Sequence, residues 1–212
     1  YAAVFRRLLG PHVSGYVVDT ACSSSLYALA LGMRALAERT CDVAVAGGVY
    51  EVTMGNSCLF SQFGGLSATG SRSLDASADG VVFGSGAAVL VLKRLSDAIA
   101  AGDRVLGVVR GVGLSSDGKS PAVNVPQSEG QLLAMQRAYS AAGLSPQSIQ
   151  LIEAHATATL VGDATELRSL NQMYAGGHGI ELRSLKSLIG HTGWAAGIAS
   201  VVDGDTIEIH GQ

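Results

Sequence analysis

Three short stretches hold the residues able to do covalent and proton chemistry. Thr20-Ala21-Cys22-Ser23-Ser24-Ser25 places a thiol between an apolar segment and the start of a helix. Unpaired backbone N–H groups and the positive end of the helix dipole at such a place favour a thiolate, the nucleophilic form. Glu153-Ala154-His155-Ala156-Thr157 puts an imidazole just after a short strand, and Lys186-Ser187-Leu188-Ile189-Gly190-His191 puts a lysine and a second imidazole after another. A lone cysteine is more often an inert core thiol, and a lone histidine more often structural. Two histidines and a lysine, each just after a short strand, are less easily dismissed, and a thiol at a helix start would supply a nucleophile. Cys41 and Cys58 have no such setting. Asp163 and Glu166 stand at the start of a helix, where their spacing also suits capping.

The elements that must position these groups follow from periodicity. Residues 15–19 read as a short buried strand, and the spacing of Leu26, Leu29, Met33 and Leu36 predicts a helix to about Glu38, buried nearly all round. Asp42–Ala46 reads as a strand ended by Gly47-Gly48, which suggests a parallel sheet with a crossover helix. An irregular connection over 55–86 leads to a strand from Ala87 to Leu95, a short helix near Ser96–Ala101 and a strand over Val105–Val112. Ser128 and Gln131 predict a capped helix ending at Gly143. A strand over Ile149–Glu153, a helix from Asp163 to about Tyr174, a strand over Leu182–Leu185 and a helix from near Trp194 complete the pattern. Reactive side chains thus sit at the C-terminal ends of strands, where layered α/β proteins place their chemistry.

Composition narrows the class. Hydrophobic residues make up 48% and charged residues 15%, enough apolar surface for a sizeable core and little enough charge to suggest that missing chain or a partner covers part of the surface. The net charge of −3 gives no case for nucleic acid or an anionic membrane. Three cysteines are an odd number and argue against a disulfide framework, favouring a reduced, cytoplasmic setting. No run is long enough to span a membrane, Tyr1–Leu9 has no signal-like apolar core, and the absence of an initial Met fits a segment of a longer polypeptide.

The motif around Cys22 resembles the nucleophile motif of β-ketoacyl synthases, especially ketosynthase domains of polyketide synthases. The stretch from Glu153 to Thr159, continued by Asp163 and Glu166, resembles the family's first histidine motif. Lys186 to His191 resembles its lysine–histidine motif, and Ala78-Asp79-Gly80 with Phe83-Gly84-Ser85-Gly86 resembles its glycine-rich link. The resemblance runs in the family's order from about Gly10 to Val201 and implies a partial α/β, thiolase-like layered fold, truncated at both ends, and a homodimer. It implies that Cys22 accepts an acyl group from an acyl carrier protein. It also implies that His155 and His191 hold the carbonyl of a malonyl-type extender during decarboxylative Claisen condensation, and that Lys186 with Asp163 and Glu166 forms a supporting charged network. The backbone N–H of Cys22 is the natural first oxyanion donor. No cofactor or metal is implied, since phosphopantetheine arrives on the carrier protein, and no nucleic acid or membrane partner is expected.

Departures from the pattern are Ala156 and Ala158, where the family usually has glycine, and Leu188, where it often has asparagine; the added methyl groups are expected to tune substrate choice. Residues 202–212 form a divergent tail after the 1–201 segment. They look like the opening strand of staphylococcal-nuclease-like domains, in which acidic residues matching Asp203 and Asp205 help hold calcium, but a chance end or sequence junction is the preferred reading. No nuclease activity is expected. Two other readings stay open: a truncated remnant that keeps only dimer-forming or structural contacts, and a cysteine hydrolase using Cys22 and one histidine. The hydrolase explains neither the second histidine nor Lys186.

Overall fold

The computed structural model describes residues 2–119, 122 and 125–202. Its elements in chain order are helix α1 (Ala2–Leu9), helix α2 (Ser24–Ala37), strand β1 (Ala44–Tyr50), helix α3 (Met54–Gln62), strand β2 (Gly86–Leu92), helix α4 (Leu95–Ala101) and helix α5 (Ser128–Ala142). Strand β3 (Leu151–Glu153), helix α6 (Leu160–Met173), strand β4 (Glu181–Arg183), the short helix α7 (Lys186–Ile189) and helix α8 (Ala196–Val202) follow. The tail at 203–212, with its Asp203 and Asp205, lies outside the described residues.

Two apolar clusters organise these elements. In the first, Leu26 and Leu29 of α2 pack on Ala46 of β1 and Ile198 of α8, with Leu90 and Leu92 of β2 against them. Leu29 is fully buried, and burial of such a side chain contributes about 1.5–3 kcal/mol. In the second, Met135 and Tyr139 of α5 meet Ile152 of β3 and Leu170 of α6. The Tyr139 and Tyr174 hydroxyls pair at 2.8 Å, so both phenols keep a partner inside the core. Ser25 and Ile198 tie α2 to α8 through a 3.1 Å bond from the Ile198 N–H to the Ser25 hydroxyl.

Several expectations are corrected. Residues 15–19 are not a buried strand; they form no ladder among the described residues, and Tyr16 and Val17 are about 70% exposed. The first sheet is antiparallel, with β1 paired to β2 from Ala44 opposite Leu92 to Tyr50 opposite Gly86. β1 also runs through Gly47-Gly48 instead of ending there. The glycines serve close packing: a Cβ on Gly48 would lie 2.5 Å from the Trp194 carbonyl oxygen. Val105–Val112 is likewise no strand; Leu106 is exposed while Val109 and Val112 lean on the first cluster, and no described strand offers it a ladder. Part of the 55–86 connection is helical, as α3. Ser128 is the first residue of α5, and its hydroxyl meets Ser169 Oγ at 2.8 Å instead of closing a capping box. A parallel pair does exist in the second half, where β3 and β4 are joined through α6.

One face of the β1–β2 sheet packs on α2 and α8. The other presents Val45, Val49, Val89 and Val91, all more than half exposed. Apolar side chains of α1 are exposed too, Leu8 most of all. No helix among the described residues is long and apolar enough to cross a membrane. Gly48→Ala is expected to lower stability by about 1–3 kcal/mol, because the new methyl group meets backbone rather than a flexible side chain. Urea denaturation of the two proteins measures this directly.

Candidate active site

The thiol is presented by a tight turn. Ala21 has a positive φ of 53°, and the turn is cross-braced by the Thr20 N–H donating to Ser24 Oγ at 2.8 Å and Ser24 Oγ donating to the Ala21 carbonyl at 2.7 Å. Small hydroxyl side chains fit here because Ser23, Ser24 and Ser25 are all buried. Helix α2 begins just beyond, at Ser24, so Cys22 precedes its first turn.

The two imidazoles come from the other end of the chain. His191 Nε2 lies 2.9 Å from Cys22 Sγ. His155 and His191 pack edge to face with ring centroids 5.4 Å apart. One ligand atom from each of Cys22, His155 and His191 falls within 4.8 Å of the other two. The sequence-predicted thiol and histidines therefore converge, whereas Cys41 and Cys58 do not join them.

The predicted supporting residues hold the backbone around His155. Glu166 accepts from the N–H groups of His155 and Ala156, each at 2.7 Å. Asp163 accepts from Leu74 N–H at 2.7 Å and Ala158 N–H at 3.1 Å. Lys186 is buried and donates to the Ala154 carbonyl at 3.3 Å; among the described residues no carboxylate oxygen lies within ion-pair distance of its Nζ. Its field still reaches the site, and the carboxylates of Glu153, Glu166 and Asp163 surround it at longer range.

Burial sets the protonation states. It pushes the Cys22 thiol up, more than the Lys186 charge and a backbone hydrogen bond pull it down. The expectation of a thiolate at the helix start meets an opposing effect: desolvation of the sulfur outweighs the Lys186 charge and the backbone hydrogen bond. Burial, Lys186 and His191 hold His155 well below the usual histidine range, and burial with Lys186 lowers His191 to about 4. Burial also lowers Lys186 and raises Glu166 and Asp163, in each case against opposing charges or hydrogen bonds. Burial thus favours the uncharged forms of the thiol and of both imidazoles.

Sequence reasoning missed how much the 66–84 connection contributes. Ser73 Oγ donates to the Ala156 carbonyl at 2.5 Å, and Ser71 Oγ to the Lys186 carbonyl at 3.0 Å. Phe83 stacks on His191 at 5.7 Å between centroids, and His191 N–H donates to the Val82 carbonyl at 2.7 Å. Gly84 is required there, since a Cβ would lie 2.1 Å from the Ile189 carbonyl oxygen. The available signal was the Phe83-Gly84 pair, read only as part of a link.

Ala156 and Ala158, both buried, take positive φ values of 31° and 65°. An L side chain in the left-handed region costs roughly 1–2 kcal/mol, against about 0.5–1 kcal/mol of extra chain entropy lost by glycine. Ala158→Gly is therefore expected to stabilise the fold by roughly 0.5–1 kcal/mol, read by urea denaturation. A pH effect follows from His191. Between its unfolded value of 6.5 and its folded value of about 4, the unfolded chain binds a proton that the folded chain refuses. Its contribution is full above pH 6.5, falls as the pH drops through that window and is gone below about 4, a loss of about 3 kcal/mol. Asp163 and Glu166 act in the opposite sense at the acid end, so the comparison with His191→Gln isolates the histidine. The stability lost between pH 7 and pH 4 should be smaller in that variant by about 2–3 kcal/mol.

Comparison with known proteins places this geometry. Residues 3–98 match the family described as beta-ketoacyl synthase, N-terminal domain, and residues 106–204 match beta-ketoacyl synthase, C-terminal domain. The chain is 41% identical over 196 residues to the mycocerosic acid synthase-like polyketide synthase of Mycolicibacterium smegmatis, covering 92% of this chain and 9% of that protein. It is 43% identical over 203 residues to pikromycin polyketide synthase component PikAIII of Streptomyces venezuelae, covering 92% and 13%. Among solved structures, the ketosynthase from module 6 of the bacillaene synthase of Bacillus subtilis 168 superposes with a TM-score of 0.83 at 38% identity, covering 87% of this chain and 34% of that one. The ishigamide ketosynthase/chain length factor gives 0.88 at 31% identity, covering 95% and 49%. The chain thus spans about a tenth of the curated relatives' length and a third to a half of the solved chains. Matched along nearly all its length by the two halves of one family, and superposing on that family's solved members, this chain belongs to the β-ketoacyl synthases and has their thiolase-like fold.

Proposed function

We propose that this chain carries the acyl-transfer and decarboxylative condensation chemistry of a polyketide synthase ketosynthase. The observation that supports it is the meeting of Cys22 Sγ with both imidazoles within 4.8 Å. In the loading step, Cys22 attacks the thioester carbonyl of an acyl group on an acyl carrier protein. The carrier thiol leaves, and His191 Nε2, 2.9 Å from the sulfur, passes the thiol proton to it. A neutral imidazole is needed for that relay, and burial keeps His191 neutral at pH 7.

In the condensing step a malonyl-type thioester loses carbon dioxide, and the electron pair of the broken C–C bond becomes an enolate. The N–H of His155 and, in the tautomer protonated at Nε2, the N–H of His191 stabilise the enolate oxygen. Its carbon then attacks the acyl-Cys22 carbonyl, the sulfur leaves as thiolate, and a β-ketoacyl chain remains on the carrier. Lys186 supplies positive potential that favours thiolate and enolate alike. Glu166 and Asp163 act as positioning residues through the backbone of His155 to Ala158.

Acyl and malonyl-type thioesters on an acyl carrier protein are the proposed substrates, with phosphopantetheine arriving on the carrier and no further cofactor. A homodimer in the cytoplasm is the proposed working form. The exposed valine face of β1–β2 and the exposed side of α1 are apolar surface that further chain or a partner copy would cover.

The test uses an acyl thioester and a malonyl thioester with the whole chain. Expected are a mass adduct on Cys22, lost in Cys22→Ser, and carbon dioxide release reduced at least ~100-fold in His155→Ala and His191→Ala. An adduct without carbon dioxide release would mean a working nucleophile without a working histidine pair. No adduct on the folded protein would leave only the remnant reading.

A further inference from the structure

We propose that Cys22, His155 and His191 also form a binding site for a single zinc ion, which shuts the thiol off from substrate. Binding of the ion needs only the juxtaposition of these atoms; its competition with substrate rests on the proposed function.

The donor set is one thiol sulfur and two imidazole nitrogens, the ligand types zinc takes most readily. Bonds of about 2.3 Å to sulfur and 2.0–2.1 Å to nitrogen put the ligand atoms of a tetrahedral site roughly 3.3–3.6 Å apart. Here the Cys22–His191 pair stands at 2.9 Å and all three atoms lie within 4.8 Å of one another. That range brackets the required spacing. Three protein ligands leave the fourth position for water, the pattern of an open zinc site.

The surroundings favour and oppose the ion in identifiable ways. The backbone on both sides is fixed: Glu166 holds His155, and Val82, Gly84 and Phe83 hold His191. Against the ion stand the Lys186 ammonium, whose field reaches Cys22 and both histidines, and the lack of a partner for His191 Nδ1 among the described residues. A ligating histidine usually gains affinity from such a partner. The ion therefore binds reversibly and competes with acylation instead of acting as a permanent structural metal. Binding converts the Cys22 thiol to thiolate and releases one proton per zinc.

The experiment uses the whole chain carrying Cys41→Ser and Cys58→Ser, which leaves Cys22 as the sole thiol. Iodoacetamide alkylation of Cys22 is followed by mass spectrometry against added Zn2+. At zinc ten times its Kd, alkylation should slow about tenfold and recover with a chelator. His155→Ala and His191→Ala should each weaken protection by at least about tenfold. Cobalt in place of zinc gives a second readout on the chain with both histidines intact: a thiolate-to-cobalt charge-transfer band with the strong visible absorption of a four-coordinate ion. No slowing below about 1 mM zinc overturns the proposal. So does equal protection in the histidine variants, which would place the metal on the sulfur alone or elsewhere. Should a histidine variant fail to fold, the cobalt spectrum decides, and a six-coordinate spectrum without a sulfur band overturns the site.

Discussion

The contact between Cys22 Sγ and His191 Nε2 joins residues 169 positions apart, and the rest of the structure is arranged to make it possible. Neither group can reach the other unless α2 is pinned to the β1–β2 sheet and to α8. That pinning is apolar: Leu26 and Leu29 on one side, Ile198 on the other, with Ala46 and the glycines of β1 small enough to let the backbones approach. Close packing fixes the relative positions of these elements more tightly than hydrogen bonds at the site could. The cost falls on the sulfur, which is carried into a setting where its charged form is disfavoured.

That cost explains the character of the site. A thiol pushed up and two imidazoles held down form a neutral assembly, with Lys186 as the nearby buried cation. Charge develops there only during reaction, when an enolate or thiolate can use the lysine's field. The lysine's position, bonded to the Ala154 carbonyl and without a carboxylate in ion-pair contact among the described residues, leaves that field less quenched than a tight ion pair would. The acidic residues are occupied elsewhere, bonding backbone N–H groups around His155.

Strained backbone concentrates around the same centre. Of the five described non-glycine residues with positive φ, Arg39 follows α2, while Ala21, Leu74, Ala156 and Ala158 lie around the site, all but Ala21 in the loops that meet behind His155. Their hydrogen bonds tie those loops to α6 and to one another: Leu74 and Ala158 to Asp163, Ala156 to Glu166, and Ser73 to Ala156. A conformation that costs of order 1–3 kcal/mol at a residue persists when surrounding bonds over-determine it. Here those bonds come from α6 and the 66–84 connection, which makes an apparently irregular segment part of the catalytic frame.

The positions of the chemistry were legible in the residues. Cys22 before a helix, His155 after a strand and the Lys186–His191 pair are local patterns, because a helix period, a strand and a glycine stop are properties of a few neighbouring residues. The helices at 24–37 and 128–142 and the strand at 86–92 were legible for the same reason. Strand pairing was not. Whether residues 15–19 or 105–112 join a ladder depends on a partner elsewhere in the chain, and the antiparallel union of β1 with β2 is a long-range choice. The protonation state of the thiol was beyond local reading too, because a helix start argues for thiolate while burial by distant residues argues against it, and only the packed structure says which is larger. Sequence alone determined which groups are available and which local elements carry them. Tertiary structure decided which groups meet and how strongly they are desolvated, because distance and dielectric environment are set by residues far apart along the chain.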